Sequence, residues 1–197
     1  MRSTKTIKMA QMAILIAVVL IMAFTPLGYL KTAGLEISLI TIPVAIGAMV
    51  IGPGAGAVLG AVFGITSFYQ CFGMSPFGAM LLSINPLYTF LVCVPTRILM
   101  GYLAGVLFKV FIKADKGNTV CYFAGGFITA FLNTLFFMSI LILLFWNTDY
   151  IQGLAAGNNV MLFVILFVGI NGVVEWIATT IVGGIVSKAV AKIAKNV

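Results

Sequence analysis

Apolar residues run along this chain in long stretches, broken by short clusters of Pro, Gly and charge, and the pattern predicts six helices. The first covers about 7–24 and is ended by Thr25-Pro26-Leu27-Gly28. The second and third, about 37–51 and 54–68, are separated only by Gly52-Pro53-Gly54. Each of that pair is short for a membrane span, so they are tilted, thin the bilayer, or form a hairpin reaching part of its depth. The fourth (about 87–111), fifth (119–145) and sixth (160–188) are long runs with few polar interruptions. If each span needs about 20 apolar residues to cross ~30 Å of hydrocarbon, six spans leave little chain for anything else. The expected fold is therefore a single domain over residues 1–197: an all-α integral membrane protein, a compact bundle of six transmembrane helices.

Composition supports that reading and removes other classes. Of the 197 residues, 62% are hydrophobic and 8% charged, against about half and about a quarter in soluble domains. A cytosolic enzyme, a disulfide scaffold, a nucleic-acid binder and a chain with its own nucleotide-hydrolysing module are all excluded. The chain has no His, so imidazole catalysis and His-ligated metal or haem have no donor. Cys71, Cys93 and Cys121 stand singly with no CxxC pair, and are expected to act as small apolar packing residues.

The net charge of +7 is read as membrane topology. Arg2, Lys5 and Lys8 precede the first helix; Lys109, Lys113 and Lys116 lie at the fourth connection; Lys188, Lys192 and Lys195 close the sixth helix. The remaining connections, 25–36, 69–86 and 146–159, hold Lys31 alone, with Glu36 and Asp149. Both termini are therefore expected on the cytoplasmic side, which demands an even number of spans. The basic lead before the first apolar run is also a feature of secretory signals. The run from Met9 to Phe24 is long for a signal core and no clear Ala-x-Ala site ends it, so it is read as a retained span.

Two ionisable residues lie within the spans, Arg97 and Glu175, and intramembrane charges usually face the interior and mark a functional site. Counting from the predicted outer helix ends, Arg97, Asn133 and Asn171 lie at a common depth, roughly 15–18 Å at 1.5 Å per residue. Glu175 is one turn deeper, on the face of Asn171. Such a layer is what a small-molecule cavity with a few polar anchors requires. An Arg97–Glu175 ion pair with the two asparagines as interhelical glue is the alternative. Nearer the outer ends, Thr66, Tyr69, Gln70, Asn85, Tyr88, Trp146 and Trp176 are candidates to line the pocket, with Trp146 and Tyr88 equally suited as interfacial anchors. Lys31 and Glu36 cap a ligand or face water. The uncharged, aromatic segment 69–86 is read as a lid folded over the cavity, with continuation of the third helix or packing on the membrane surface as the alternative.

In the first helix, Ala13-Ile-Leu-Ile-Ala17 sets two small residues one turn apart, a face that lets another helix approach closely, in this subunit or in a partner. The stretch from Ile37 to Phe68 then carries a fuller pattern: Ile42-Pro43, Ile46-Gly47-Ala48, Gly52-Pro53, Gly56-Ala57, Leu59-Gly60, Phe63-Gly64 and Thr66-Ser67. It resembles the substrate-binding S components of energy-coupling factor (ECF) vitamin transporters. Length, basic ends and the Ala-xxx-Ala helix match as well, so the likeness covers essentially the whole chain. The Gly-x-Thr-Ser ending of the third helix resembles the pantothenate branch most.

That resemblance implies a multi-pass protein of the bacterial cytoplasmic membrane that binds one vitamin-like ligand near its outer face and catalyses nothing. It implies docking, through Ala13 and Ala17, to a transmembrane coupling protein that works with two ATPases; ATP is used there, and no cofactor is bound by this chain. Pantothenate is the expected ligand, with riboflavin or folate as alternatives. An uncoupled secondary transporter would need related halves with paired broken helices, which are not seen. An intramembrane enzyme would need a catalytic set that the spans do not supply.

Overall fold

The computed structural model describes residues 4–31, 36–114 and 119–195. Among the described residues the regular structure is helical except for one short hairpin. The order is α1 (Thr4–Ala23), β1 (Tyr29–Lys31), β2 (Glu36–Ser38), α2 (Thr41–Val50), α3 (Pro53–Gln70), α4 (Pro76–Ile84), α5 (Pro86–Ala114), α6 (Thr119–Phe145), α7 (Asp149–Ala155), α8 (Val160–Ala178), a π-helical turn (Thr179–Gly183) and α9 (Gly184–Lys195).

The expected helix boundaries need four corrections. The helix predicted from residue 37 begins at Thr41, because Ile37 and Ser38 pair antiparallel with Leu30 and Tyr29 instead. The predicted lid contains α4, which starts on a Ser75 side chain accepting from the Gly78 amide, followed by proline in the first turn. The connection 146–159 holds α7, capped likewise by Thr148. The sixth predicted helix is broken at Gly169, whose φ of 38° and ψ of −135° interrupt the helix, and it widens without breaking at the π-helical turn.

Among the described residues, four segments are long and apolar enough to cross a membrane: Lys5–Ala23, Pro86–Lys113, Thr119–Phe145 and Asn171–Ile193. The pair Asp149–Ala155 and Val160–Gly169, bent by 77°, makes a fifth when taken as one broken span, and a re-entrant loop otherwise. By the helical rise, α2 at 10 residues reaches about 15 Å and α3 at 18 residues about 27 Å. Large apolar side chains face outward along these helices, among them Ile21, Leu143, Met161 and Leu166. In water such a surface would be an aggregation liability; in lipid it is the solvated face.

The tightest seam is α3 against α5. A Cβ on Gly56 would sit on the carbonyl of Gly101, one on Gly101 on that of Gly56, and one on Gly60 on that of Arg97. Only glycine allows backbones this close, and in a membrane such packing, rather than the hydrophobic effect, holds helices together. The core beside this seam is Val19, Ile40, Val44, Leu59, Phe63 and Met100, all with no exposed surface. A second core, with Val92, Leu141, Phe145 and Ile151, ties α7 and α8 to α5 and α6. Between the two cores lies a cavity.

Candidate functional site

The cavity has a volume of about 450 Å³ and is lined from α3, α4, α5, α6, α7, α8 and the hairpin. Its polar lining includes Arg97, Gln70, Ser38, Asn133, Asn171 and Glu175. Phe77, Leu81, Tyr150, Leu154 and Phe167 make an apolar wall. Within that wall Phe77 lies against both Phe167 and Tyr150, with ring centroids 5.3 and 6.1 Å apart.

Arg97 is buried and held by its own helix. Pro95, inside the same helix, cannot donate the ladder bond to the Leu91 carbonyl, two positions before the acceptor Cys93. The carbonyls of Val92 and Cys93 accept from Arg97 Nη1 at 3.0 and 3.1 Å, and the Thr96 hydroxyl at 3.4 Å. The guanidinium lies between two aromatic faces, 4.8 Å from the Phe63 ring centroid and 5.3 Å from that of Phe137, a favourable place for a cation. Its Nε is buried without a hydrogen-bond partner.

Glu175 is held separately. Asn133 Nδ2 donates to its Oε1 at 2.9 Å, and the Ser38 amide and Thr41 hydroxyl address the same carboxylate. Thr41 is itself fixed by a 2.9 Å hydroxyl contact to Thr179, in the π-helical turn one turn beyond Glu175. Among the described residues Arg97 and Glu175 form no ion pair; the carboxylate feels the guanidinium only at longer range. The ion pair weighed from the sequence is therefore not formed, although Asn133 does join α6 to α8.

Four of the sequence candidates, Arg97, Asn133, Asn171 and Glu175, thus meet at one cavity, and Gln70 joins them while donating to the Ala23 carbonyl at 2.5 Å. Asn171 gets there differently than expected: it stands two residues past the Gly169 break, so its depth does not follow from a straight helix beginning at residue 160. Tyr69, Asn85 and Tyr88 lie outside the cavity lining. Tyr69 is exposed and packs edge-on to Phe24. Asn85 caps α5 by accepting from the Tyr88 amide at 3.1 Å, and the Tyr88 ring packs on Phe145. Thr66 donates to the Phe63 carbonyl, Trp146 packs on Phe163, and Trp176 donates to Thr134 while facing a neighbouring apolar groove. The side chains of Lys31 and Glu36 lie outside the described part of the structure.

Sequence reading missed Ser38, whose buried Oγ lacks a hydrogen-bond partner, and the thiols of Cys71 and Cys93, which also line the cavity. Nothing in a lone Ser or Cys marks it in advance. Ala13 and Ala17 are exposed on α1, so that small-residue face does not pack within the subunit. Among the described residues no three His, Cys, Asp or Glu side chains gather closely enough to hold a metal ion.

Chemically, the site offers one forked cation with an unmatched donor edge, a carboxylate with its own donors, two amides and an apolar wall. No curated protein matches this sequence. The family model for the ECF transporter substrate-specific component matches residues 7–187. The chain belongs to that family, which comprises transporter subunits and not enzymes.

Proposed function

We propose that this chain, as a substrate-specific component of an ECF transporter, binds a small carboxylate vitamin in the 450 Å³ cavity, and that the vitamin is pantothenate. The observation that supports this is Arg97. Its Nη1 is committed to helix carbonyls while Nε is buried without a partner. The Nε edge of a guanidinium is one of its two bidentate faces for a carboxylate, and charge-assisted pairs of that kind are roughly twice as strong as neutral hydrogen bonds. Pantothenate has one carboxylate for Arg97 and two hydroxyls and an amide for Asn133, Asn171, Ser38 and Glu175. Its aliphatic part then meets Phe77 and Phe167.

In the proposed arrangement the chain crosses the bacterial cytoplasmic membrane six times with both termini inside. The exposed Ala13–Ala17 face of α1 docks on the transmembrane coupling protein, and two partner ATPases supply the energy.

Binding of pantothenate to Arg97→Gln and Glu175→Gln tests the site, with riboflavin and folate as competitors. Loss in the first variant and a milder effect in the second is the expected result. Equal loss of folded protein in both, with unchanged binding in what stays folded, would reduce the two residues to structural roles.

A further inference from the structure

Two thiols stand together in the wall of this cavity. Cys71 closes α3 and Cys93 lies within α5, and their Sγ atoms are 4.0 Å apart, both side chains buried and neither in a disulfide. Cys93 sits one helical turn before Arg97, and its carbonyl is one of the acceptors that hold the guanidinium. Cys71 is the floor under α4: a Cβ built on Gly78 would meet its Sγ at 2.6 Å.

We infer that Cys71 and Cys93 are a reversible oxidation site that sets the width of the ligand cavity beside Arg97. In the reaction each thiol loses its hydrogen and one Sγ–Sγ bond forms. The two protons and two electrons pass to a quinone, which becomes the quinol; a thiol reductant reverses the step.

The geometry gives the direction of movement. A disulfide is about 2.05 Å long, so the sulfurs must close by roughly 2 Å. The Cys93 main chain is the better anchored of the two, because its carbonyl and Val94 lie directly against Gly64 in the close seam of α3 and α5. Cys71 stands at a helix end, followed by exposed Phe72 and by Gly73 with φ of 116°. The strain is therefore taken up by Cys71, and α4, resting on it, is carried toward α5. Phe77 and Leu81 then press into the cavity, and the oxidised protein binds ligand more weakly. The inference takes the cavity, but no particular vitamin, from the function proposed above.

The test uses the purified full chain in lipid nanodiscs, treated with diamide and digested without reduction. A Cys71–Cys93 linked peptide is expected, reversed by dithiothreitol, with Cys121 as the internal control because it sits in a different cluster. In parallel, phenylglyoxal labels arginine; the chain has only Arg2 and Arg97, so the Arg97 peptide reads cavity access directly. Oxidation is expected to slow labelling of Arg97 severalfold, to leave Arg2 unchanged, and to have no effect in Cys71→Ser. Absence of the linked peptide, an unchanged Arg97 rate once it has formed, or the same slowing in Cys71→Ser would overturn the inference. Neither readout needs a ligand, so failure of pantothenate to bind the reduced protein would count against the vitamin assignment alone.

Discussion

Alanine at Gly60 and alanine at Gly54 are the same chemical change in the same helix, and they are expected to act in opposite directions. A Cβ on Gly60 would fall on the carbonyl of Arg97, only 2.8 Å from its carbon and 3.3 Å from the Ile98 Cα. Raising 2.8 Å to the 3.4 Å where ordinary contact begins requires α3 and α5 to part by at least 0.6 Å at that level. The parting cannot stay local, because Gly56 and Gly101 are equally close on the same seam. Overpacking of this kind costs about 1–3 kcal/mol, and a rigid backbone target places it in the upper half of that range. Gly54, in the first turn of α3, has no atom within 4 Å of its would-be Cβ. There alanine adds only helix propensity, at most about 1 kcal/mol of stabilisation and less near a helix end. Reversible unfolding in mixed micelles reads both. The atom struck by the Gly60 change belongs to Arg97, so folded Gly60→Ala protein is also expected to bind pantothenate more weakly. If the two variants matched within about 0.5 kcal/mol, the close seam would not be a determinant of stability and the reasoning would fail.

Three further outcomes are expected. Ala13→Leu with Ala17→Leu is expected to abolish assembly with the coupling protein, read by co-purification, and to leave ligand binding intact, since that exposed face of α1 is remote from the cavity lining. Asn133→Leu removes the 2.9 Å donor from a buried carboxylate and is expected to cost about 1–3 kcal/mol in stability; adding Glu175→Gln recovers part of that loss, so a double-mutant cycle showing additivity would refute the pairing. The chain alone is expected neither to bind nor to hydrolyse ATP, having no GxxxxGK[ST] loop; ion-driven uphill uptake by this chain alone in liposomes would instead indicate a secondary transporter.

What could be read from the sequence divides along physical lines. The α6 boundaries, Thr119–Phe145, follow from an apolar run with charge before it and Trp146-Asn147 after it. The break at Gly169 is invisible to hydropathy, because Val160–Ala178 is apolar on both sides of it and a glycine in a helix shows its φ only when folded. The hairpin is not legible because each strand has only three residues, too few for an apolar–polar alternation to stand apart from a helical pattern. Helix α4 was legible in principle: Ser75-Pro76 is a cap followed by a first-turn proline, but a lid reading of the whole segment masked it. In the site, Arg97, Glu175 and the asparagines stand out because polar groups are costly in an apolar run. Asn85 and Tyr88 were assigned by position near a helix end, where local capping takes the side chain instead.

A cation held by ring faces and carbonyl dipoles is held without being neutralised. When the cavity is empty, Arg97 has no carboxylate to release before a ligand can approach, and the barrier to association carries no contribution from breaking an ion pair. For the carboxylate ligand proposed above, arrival is then governed by passage into the cavity and by the field of a guanidinium whose nearest carboxylate, Glu175, is tied to Asn133 rather than to it. An analogue with an amide in place of the carboxylate meets the same walls and the same asparagines with no charge for that field to act on. On the carboxylate reading proposed above, such an analogue leaves the Arg97 Nε without the partner it lacks in the empty cavity.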